Sequence, residues 1–246
     1  MQATSDLTLL CLPYAGASAL IYRGWPERLQ PSIHVLPLDL PGRGTRHSRP
    51  PLDDWPMLIN VLLDDIQSCL ARPFAIFGHS MGALIGLELA HAVRARYGKT
   101  PVWMGASGCI APARRVGNLK WRNCPESELL AELRTLGGTP DELIENREFL
   151  DVLLPIVRAD FHLCGSYRAL VREPLDCPML VMAGTGDELT REPENLKSWA
   201  REVSGPFQLQ VVDGGHFFID TRRDIVLGYV ANALVKARDA EMLHDR

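Results

Sequence analysis

The fold of this chain is decided around one stretch, Phe74-Ala75-Ile76-Phe77-Gly78-His79-Ser80-Met81-Gly82. The apolar run at its start is typical of a short buried strand, and the apolar run from Met81 to Val93 is typical of a buried helix. A serine on a tight strand-to-helix turn, with glycine two residues to either side, is the pattern of an exposed nucleophile. The glycines are needed because bulkier residues would clash across the turn. The alternative interpretation is a turn of small residues that only packs a helix onto a sheet.

Five further apolar runs predict strands, and amphipathic or apolar segments between them predict helices. The predicted strands are Leu7–Leu12, Ile33–Leu38, Val102–Ala106, Met179–Ala183 and Phe207–Val212, and the longest predicted helices outside the Ser80 segment are 52–70 and 224–237. Strands that alternate with helices predict an α/β fold with a mostly parallel sheet and helices on both faces. With 246 residues, of which 46% are hydrophobic, we expect one large domain over 1–246.

One region, at about 120–172, breaks the alternation of strands and helices. It carries helix signals from Pro125, from Thr139 and from Arg147 to Tyr167, and no convincing strand. An ordinary crossover is the alternative, but about fifty residues is long for one. We therefore expect a helical lid over the carboxyl ends of the strands, where ligands bind in such sheets.

The composition excludes several classes of protein. The formal net charge is −4, from 26 basic and 30 acidic residues, which argues against a nucleic-acid binder. No run approaches the roughly 20 apolar residues of a membrane span, and residues 1–6 lack the basic region of a signal peptide. The six cysteines are scattered, without a C-x-x-C pair. We expect them to be reduced thiols of a cytoplasmic protein.

A nucleophilic serine needs a base, and the base needs an orienting acid. Among seven histidines, His216 is the best candidate, because it follows the sixth predicted strand within Gly214-Gly215-His216-Phe217-Phe218. Asp187 follows the fifth strand and can accept the imidazole N–H of His216. Asp213 is the rival acid, although it lies only three residues before the histidine.

Acyl transfer also needs two N–H donors for the developing oxyanion. One is expected to be the backbone N–H of Met81, directly after the nucleophile, and the other that of Tyr14 or Ala15, in the loop after the first strand. No metal-binding motif and no phosphate loop is present, and Gly42-Arg43-Gly44 is a turn and not a dinucleotide fingerprint. We therefore expect no metal and no cofactor.

Several motifs in order resemble those of the type II thioesterases of polyketide and nonribosomal peptide synthesis, which are α/β-hydrolases. They are Leu12-Pro13-Tyr14-Ala15-Gly16-Ala17-Ser18-Ala19, Asp39-Leu40-Pro41-Gly42-Arg43-Gly44, Gly78-His79-Ser80-Met81-Gly82-Ala83, Arg158-Ala159-Asp160-Phe161, Gly184-x-x-Asp187 and Gly214-Gly215-His216-Phe217-Phe218. The resemblance covers nearly the whole chain. It departs from the family at Gly16-Ala17, where two glycines are usual, and at Gly165-Ser166-Tyr167, where an acidic residue usually precedes the tyrosine by two positions.

The resemblance implies hydrolysis of acyl thioesters on the phosphopantetheine arm of acyl or peptidyl carrier domains. Such enzymes remove stalled or aberrant acyl groups during secondary metabolism, including antibiotic biosynthesis. Carried over by position, the triad is Ser80, Asp187 and His216, and the oxyanion donors are Met81 and Ala15. The substrate remains attached to the partner's arm, and the enzyme is expected to act as a monomer.

Two basic clusters could steer an acidic carrier domain to the pocket. One contains Arg43, Arg46 and Arg49, and the other contains Arg114, Arg115, Lys120 and Arg122. The alternative is that these residues form only a solvated basic rim.

Two other functions are also compatible with the sequence. A carboxylesterase or lipase of the same fold would act on small oxygen esters. A catalytically silent interaction protein would have kept the hydrolase scaffold, although the apparently complete triad argues against this.

Overall fold

The computed structural model describes residues 7–29, 31 and 33–244. Over these residues six strands form one sheet in the order β2-β1-β3-β4-β5-β6, and all neighbouring strands are parallel. The strands are β1 (Leu7–Leu12), β2 (Ile33–Pro37), β3 (Phe74–His79), β4 (Trp103–Ser107), β5 (Met179–Gly184) and β6 (Phe207–Val212). The predicted α/β-hydrolase architecture with a mostly parallel sheet is confirmed.

The helices in the described part of the chain are α1 (Trp25–Leu29), α2 (Trp55–Ile66), α3 (Met81–Tyr97), α4 (Glu126–Leu136), α5 (Asp141–Ile144), α6 (Arg147–Ser166), α7 (Pro193–Lys197), α8 (Phe218–Thr221) and α9 (Arg223–His244). Helices α1 to α7 lie between successive strands, and α8 and α9 follow β6. Short 3-10 turns extend several of them. None of the described helices is long and apolar enough to cross a membrane.

The helix predicted over 52–70 is shorter in the structure. It begins at Trp55 because the Asp54 carboxylate caps it, accepting the N–H of Met57 at 2.9 Å. After Ile66 the chain tightens into a 3-10 turn up to Ala71. The hydrophobic pattern therefore continues beyond the α-helix itself, since both parts cover the same face of the sheet.

The sheet is covered by apolar side chains on both faces. Leu10 and Ile76 point into one cluster, with side chains of α2 and α3, whereas Leu9 and Phe77 point into the other, with side chains of α1 and α9. Successive side chains of a strand alternate between faces, so strands buried on both sides are apolar throughout. This is why the inner strands β1, β3, β4 and β5 read as nearly continuous apolar runs in the sequence.

The order of the strands determines where a ligand can bind. From β1 the chain crosses to β2 on one side, and β3 then lies on the other side of β1. The loops that leave the carboxyl ends of β1 and β3 therefore diverge, and the crevice between them is the usual ligand site of an open α/β sheet. Ala15 follows β1, and Ser80 follows β3.

The predicted insertion contains helices α4, α5 and α6 and lies between β4 and β5. It has a small apolar cluster of its own, which includes Leu129, Leu154 and Phe161. The carboxyl end of α6 touches the incoming segment at Gly165, whose carbonyl accepts the N–H of Asn118 at 2.9 Å. A Cβ at position 165 would lie 1.8 Å from the carbonyl oxygen of Asn118. The backbones therefore meet only because this residue is glycine, which explains the departure from the family pattern here.

Candidate active site

Ser80 lies on a strained turn between β3 and α3. Its backbone has φ 53° and ψ −118°, and it is the one non-glycine residue with positive φ in the described part of the chain. Its N–H donates to the carbonyl of Ser107 at 2.7 Å, which fixes the turn to β4. A Cβ at Gly78 would lie 2.1 Å from the carbonyl oxygen of Gly82, and one at Gly82 equally close to that of Leu12. Both glycines are therefore required by close backbone contact, as the sequence pattern predicted.

The structure brings together the three side chains predicted as a triad. The Nε2 atom of His216 lies 3.1 Å from the hydroxyl oxygen of Ser80, and its Nδ1 atom lies 2.9 Å from Oδ2 of Asp187. The Asp187 side chain is 1% exposed and that of His216 is 9% exposed. The three residues come from the carboxyl ends of β3, β5 and β6, so the sheet sets their spacing.

Asp187 is held as a carboxylate. Burial opposes its ionisation, but the hydrogen bond and charge of His216 hold the pKa of Asp187 below its usual range. The hydroxyl of Thr190 donates to Oδ2 at 2.9 Å, and the N–H of Leu189 donates to Oδ1 at 3.1 Å. The rival Asp213 is exposed and accepts hydrogen bonds from the side chains of Arg222 and Thr185. The geometry therefore favours Asp187 as the partner of His216.

His79 has a position that the sequence did not reveal. Its ring is fully buried, with Nδ1 2.9 Å from the Ser107 hydroxyl and Nε2 3.0 Å from the backbone carbonyl of His216. Burial, followed by the charge of His216, lowers the pKa of His79 to about 3. The neutral ring must carry its proton on Nε2, because a carbonyl oxygen only accepts. His79 thus donates to the loop that carries His216.

The two predicted oxyanion donors lie on either side of the crevice. Met81 is the first residue of α3, where N–H groups lack partners within the helix. Ala15 lies in a turn closed by the N–H of Ala17, which donates to the carbonyl of Tyr14 at 3.1 Å. Among the described residues, neither the N–H of Ala15 nor that of Met81 makes a loop or cap hydrogen bond. Both are available to an incoming oxygen.

A cavity of about 590 Å³ joins this site to the insertion. Ser80 and His216 line one end of it. The insertion contributes mainly apolar side chains, including those of Leu133, Leu153 and Phe161. The cavity therefore offers a long apolar chain a path away from the serine.

The predicted basic clusters need a correction. Arg43 is not exposed: its side chain is 5% accessible and forms a bidentate ion pair with buried Asp160. Arg46 is mostly buried and pairs with Asp65 in α2. Neither guanidinium is free to contact a partner, since both are committed to carboxylates of this chain.

The second cluster is divided between the cavity wall and the surface. Arg115 lines the cavity and donates to the carbonyl of Cys164 at 3.1 Å. Arg114 is exposed. Val116 and Leu119, in the same segment, are also exposed, with Val116 90% accessible. A small basic and apolar surface therefore lies beside the cavity mouth.

No group of three His, Cys, Asp or Glu side chains in the described residues is placed to hold a metal ion. The six cysteines are all unpaired.

The fold and the arrangement of this site define an α/β-hydrolase. The chain belongs to the thioesterase family, because the family model of the thioesterase domain matches residues 7–234. It is therefore a hydrolase that acts on thioesters, as the resemblance implied.

Individual relatives show which group of thioesterases the chain belongs to. The chain is 39% identical over 238 residues to linear gramicidin dehydrogenase LgrE of Brevibacillus parabrevis, covering 95% of this chain and 90% of the relative. Its structure is similar to RedJ, the thioesterase of the prodiginine pathway in Streptomyces coelicolor, with a TM-score of 0.87, 33% identity and coverage of 95% and 92%. The type II thioesterase BorB of the borrelidin cluster gives a TM-score of 0.84, 34% identity and coverage of 94% and 93%. The predicted membership of the type II thioesterases is confirmed.

Proposed function

We propose that this protein hydrolyses acyl thioesters on the phosphopantetheine arm of acyl or peptidyl carrier domains and so clears aberrant or stalled acyl groups from a polyketide or nonribosomal peptide assembly line. The observation that carries the proposal is the continuous hydrogen-bonded line from Ser80 through His216 to Asp187 in a member of the thioesterase family. The names of the prodiginine and borrelidin relatives support the choice of pathway.

In the first step, Nε2 of His216 takes the proton of the Ser80 hydroxyl as its oxygen attacks the thioester carbonyl. Asp187 holds the ring in the tautomer that this transfer needs and stabilises the imidazolium that forms. The N–H groups of Met81 and Ala15 receive the developing oxyanion. His216 then gives the proton to the departing thiolate of the pantetheine arm, which leaves an acyl ester on Ser80.

The second step repeats these roles with water. His216 removes a proton from a water molecule, whose oxygen attacks the acyl ester, and the same two N–H groups bind the second oxyanion. Collapse of this intermediate returns the proton to the oxygen of Ser80 and releases a carboxylic acid. The residues of the chain supply the nucleophile, the base and the donors, so the proposal includes neither a metal nor an organic cofactor.

The acyl group is proposed to lie in the cavity under the insertion. Its walls there are largely apolar, with Leu133, Leu153 and Phe161 among them. Burial of apolar surface stabilises binding in proportion to the area removed from water, so this lining favours an apolar acyl chain. The insertion thus acts as the lid that selects the acyl group.

The carrier domain is proposed to dock at the surface formed by Arg114, Val116 and Leu119. Arg114 supplies positive charge beside two exposed apolar residues. A positive patch beside the cavity mouth favours the approach of an acidic partner.

The word dehydrogenase in the name of LgrE belongs to that relative. The glycine-rich segment Gly42–Gly44 is filled by side chains of this chain. A Cβ at Gly44 would lie 2.3 Å from the Asp39 carboxylate, which accepts the N–H groups of Ala19 and Thr45 at 2.8 Å each. This segment is a structural turn.

We also propose that the enzyme acts in the cytoplasm as a monomer, where its six unpaired cysteines remain thiols.

The decisive experiment incubates the purified protein with carrier domains loaded with acyl groups of different length and follows the mass of each carrier. Release of the acyl group is expected from the wild type, and Ser80→Ala is expected to abolish it while the protein stays folded. Pantetheine thioesters and matched oxygen esters are compared in parallel. Faster turnover of the oxygen esters would favour a carboxylesterase instead, and no hydrolysis of any activated acyl substrate would favour a silent scaffold.

A further inference from the structure

The buried pair of Arg43 and Asp160 does more than join the insertion to the core. We propose that Asp160 is a positioning residue that sets the oxyanion-binding turn from Tyr14 to Ala17, and that Arg43 holds the Asp160 carboxylate in place for this task. The inference rests on the proposed function, because it assigns a role in the chemistry at Ser80.

Asp160 contacts the turn directly. Its Oδ2 atom accepts the N–H of Gly16 at 2.7 Å, and the same carboxylate receives both terminal nitrogens of Arg43. Arg43 also reaches the carbonyl of Ala17 at 3.4 Å. Two charged side chains, from α6 and from the segment after β2, therefore converge on the loop after β1.

The geometry of the turn shows what this contact controls. Gly16 has φ 80°, and the N–H of Ala17 donates to the carbonyl of Tyr14, as in a type II turn with glycine at its third position. The central peptide of a type II turn is flipped relative to that of a type I turn, so its N–H points the other way. Here that N–H belongs to Gly16 and meets the Asp160 carboxylate. A flipped peptide would turn the Ala15 carbonyl toward this negative charge, so Asp160 selects the observed turn.

The position of the Ala15 N–H depends on where this turn is anchored, and Asp160 and Arg43 hold the turn at the N–H of Gly16 and the carbonyl of Ala17. The Ala15 N–H and the Tyr14 carbonyl share one planar trans peptide and therefore point in opposite directions. The Tyr14 carbonyl points into the turn, where it accepts from Ala17. The Ala15 N–H accordingly points away from the turn, as an oxyanion donor must.

The burial of the pair fits such a role. The Arg43 side chain is 5% exposed and that of Asp160 is 1% exposed. A buried ion pair often adds little stability relative to apolar residues of similar size, but it fixes geometry through several directed hydrogen bonds. The pair also connects the turn to α6. A displacement of the insertion would therefore also displace the oxyanion site.

Two double variants isolate the hydrogen bond to Gly16. R43M/D160N and R43M/D160L both lack the ion pair and leave no unpaired charge, but only the first keeps an acceptor for the N–H of Gly16. Each is assayed with a small acyl-pantetheine thioester, with enzyme concentrations normalised by active-site titration. The control R96M removes an exposed ion pair with Asp64 and is expected to behave as the wild type.

We expect R43M/D160L to have a kcat about tenfold below that of R43M/D160N with similar KM, because a misdirected oxyanion donor weakens the transition state and not the ground state. A second readout is the affinity for an alkyl trifluoromethyl ketone. The Ser80 oxygen adds to its carbonyl carbon, the proton passes to His216, and the new oxyanion occupies the same site. We expect this affinity to fall in parallel with kcat.

Equal kcat and equal ketone affinity in the two double variants would overturn the proposal. If R43M/D160L does not fold, R43M/D160A takes its place: it also lacks an acceptor for the N–H of Gly16 and leaves no unpaired charge, so its kcat should fall about tenfold below that of R43M/D160N, and an equal kcat would refute the inference. Failure of the proposed function is a different result, since the wild type itself would then release no acyl group.

Discussion

Replacing His79 by glutamine is expected to weaken the dependence of stability on pH. The ring is buried between the Ser107 hydroxyl and the His216 carbonyl, and its pKa falls from 6.5 to about 3. In the unfolded chain the same histidine is solvated and takes up a proton near its ordinary pKa. Protons therefore bind the unfolded state more strongly, and the folded state loses stability as the pH falls from 6.5 toward 3.

The size of this loss follows from the two pKa values. Between pH 7 and pH 5, His79 alone lowers the free energy of unfolding by about 2 kcal/mol. The result hardly changes for any folded pKa below about 4, because the folded ring then stays neutral throughout this range. His91 adds a similar loss in wild type and variant alike, since burial, with Arg172 and Arg94, lowers its pKa to about 4. The difference between the two proteins therefore isolates His79.

The assay is urea unfolding of wild type and His79→Gln at pH 7 and pH 5, followed by tryptophan fluorescence. At pH 7 the variant is expected to be less stable by about 1–3 kcal/mol, because buried partners of the ring lose hydrogen bonds. On moving to pH 5 the variant should lose about 2 kcal/mol less than the wild type does. The matched control is His34→Gln, at an exposed position of β2. Equal losses in wild type and His79→Gln would refute the reasoning.

Three further predictions concern the acid, the lid and the docking surface. Asp187→Asn should lower kcat by about a hundredfold or more, because the imidazole loses its orienting acceptor. The control Asp213→Asn, at an exposed position, should keep a kcat within about twofold of the wild type. The reverse result would identify Asp213 as the acid of the triad. Gly165→Ala should lower the free energy of unfolding by about 1–3 kcal/mol in urea titrations, since its Cβ would overlap a backbone carbonyl at 1.8 Å, and an unchanged midpoint would contradict that contact. Arg114→Glu should raise KM severalfold for an acylated carrier domain but not for a small acyl thioester. The control Arg96→Glu lies in the last turn of α3, about 24 Å along the helix from Ser80, and should leave both unchanged.

The sheet and the nucleophile turn were predictable because their sequence signals are local. Strands buried on both faces are predominantly apolar, so β1 was predicted with its observed bounds, Leu7–Leu12. The bounds of the edge strand β6, Phe207–Val212, were also predicted correctly, and those of the other strands lie within two residues at each end. Close packing at Gly78 and Gly82 excludes any side chain, so the glycine spacing around Ser80 marks the turn. His216 and Asp187 followed from the requirement that the partners of the serine leave later strands.

The surroundings of the site were not predictable in the same way, because they depend on contacts between distant segments. In the sequence Arg43 cannot be distinguished from Arg46, since both are basic residues of the same polar loop. Its partner Asp160 lies 117 positions further on, inside the insertion, and no periodicity relates the two. His79 had no local signal either, since its burial depends on Ser107 and on the loop that carries His216.

The hydrogen bond between Asp160 of α6 and the N–H of Gly16, in the loop after β1, limits which segments can be exchanged between thioesterases of this family. A chimera that replaces only the insertion, with boundaries near 120 and 172, would import a new environment around position 160 while keeping the old segment at Arg43. Acyl selectivity and turnover would then change together. The lower rate would be attributed to a poorly fitting acyl pocket, although its cause would be the disturbed pair of Arg43 and Asp160. A graft should therefore include the segment from Asp39 to Arg46 along with the insertion, so that the residue at position 160 keeps its native partner at position 43.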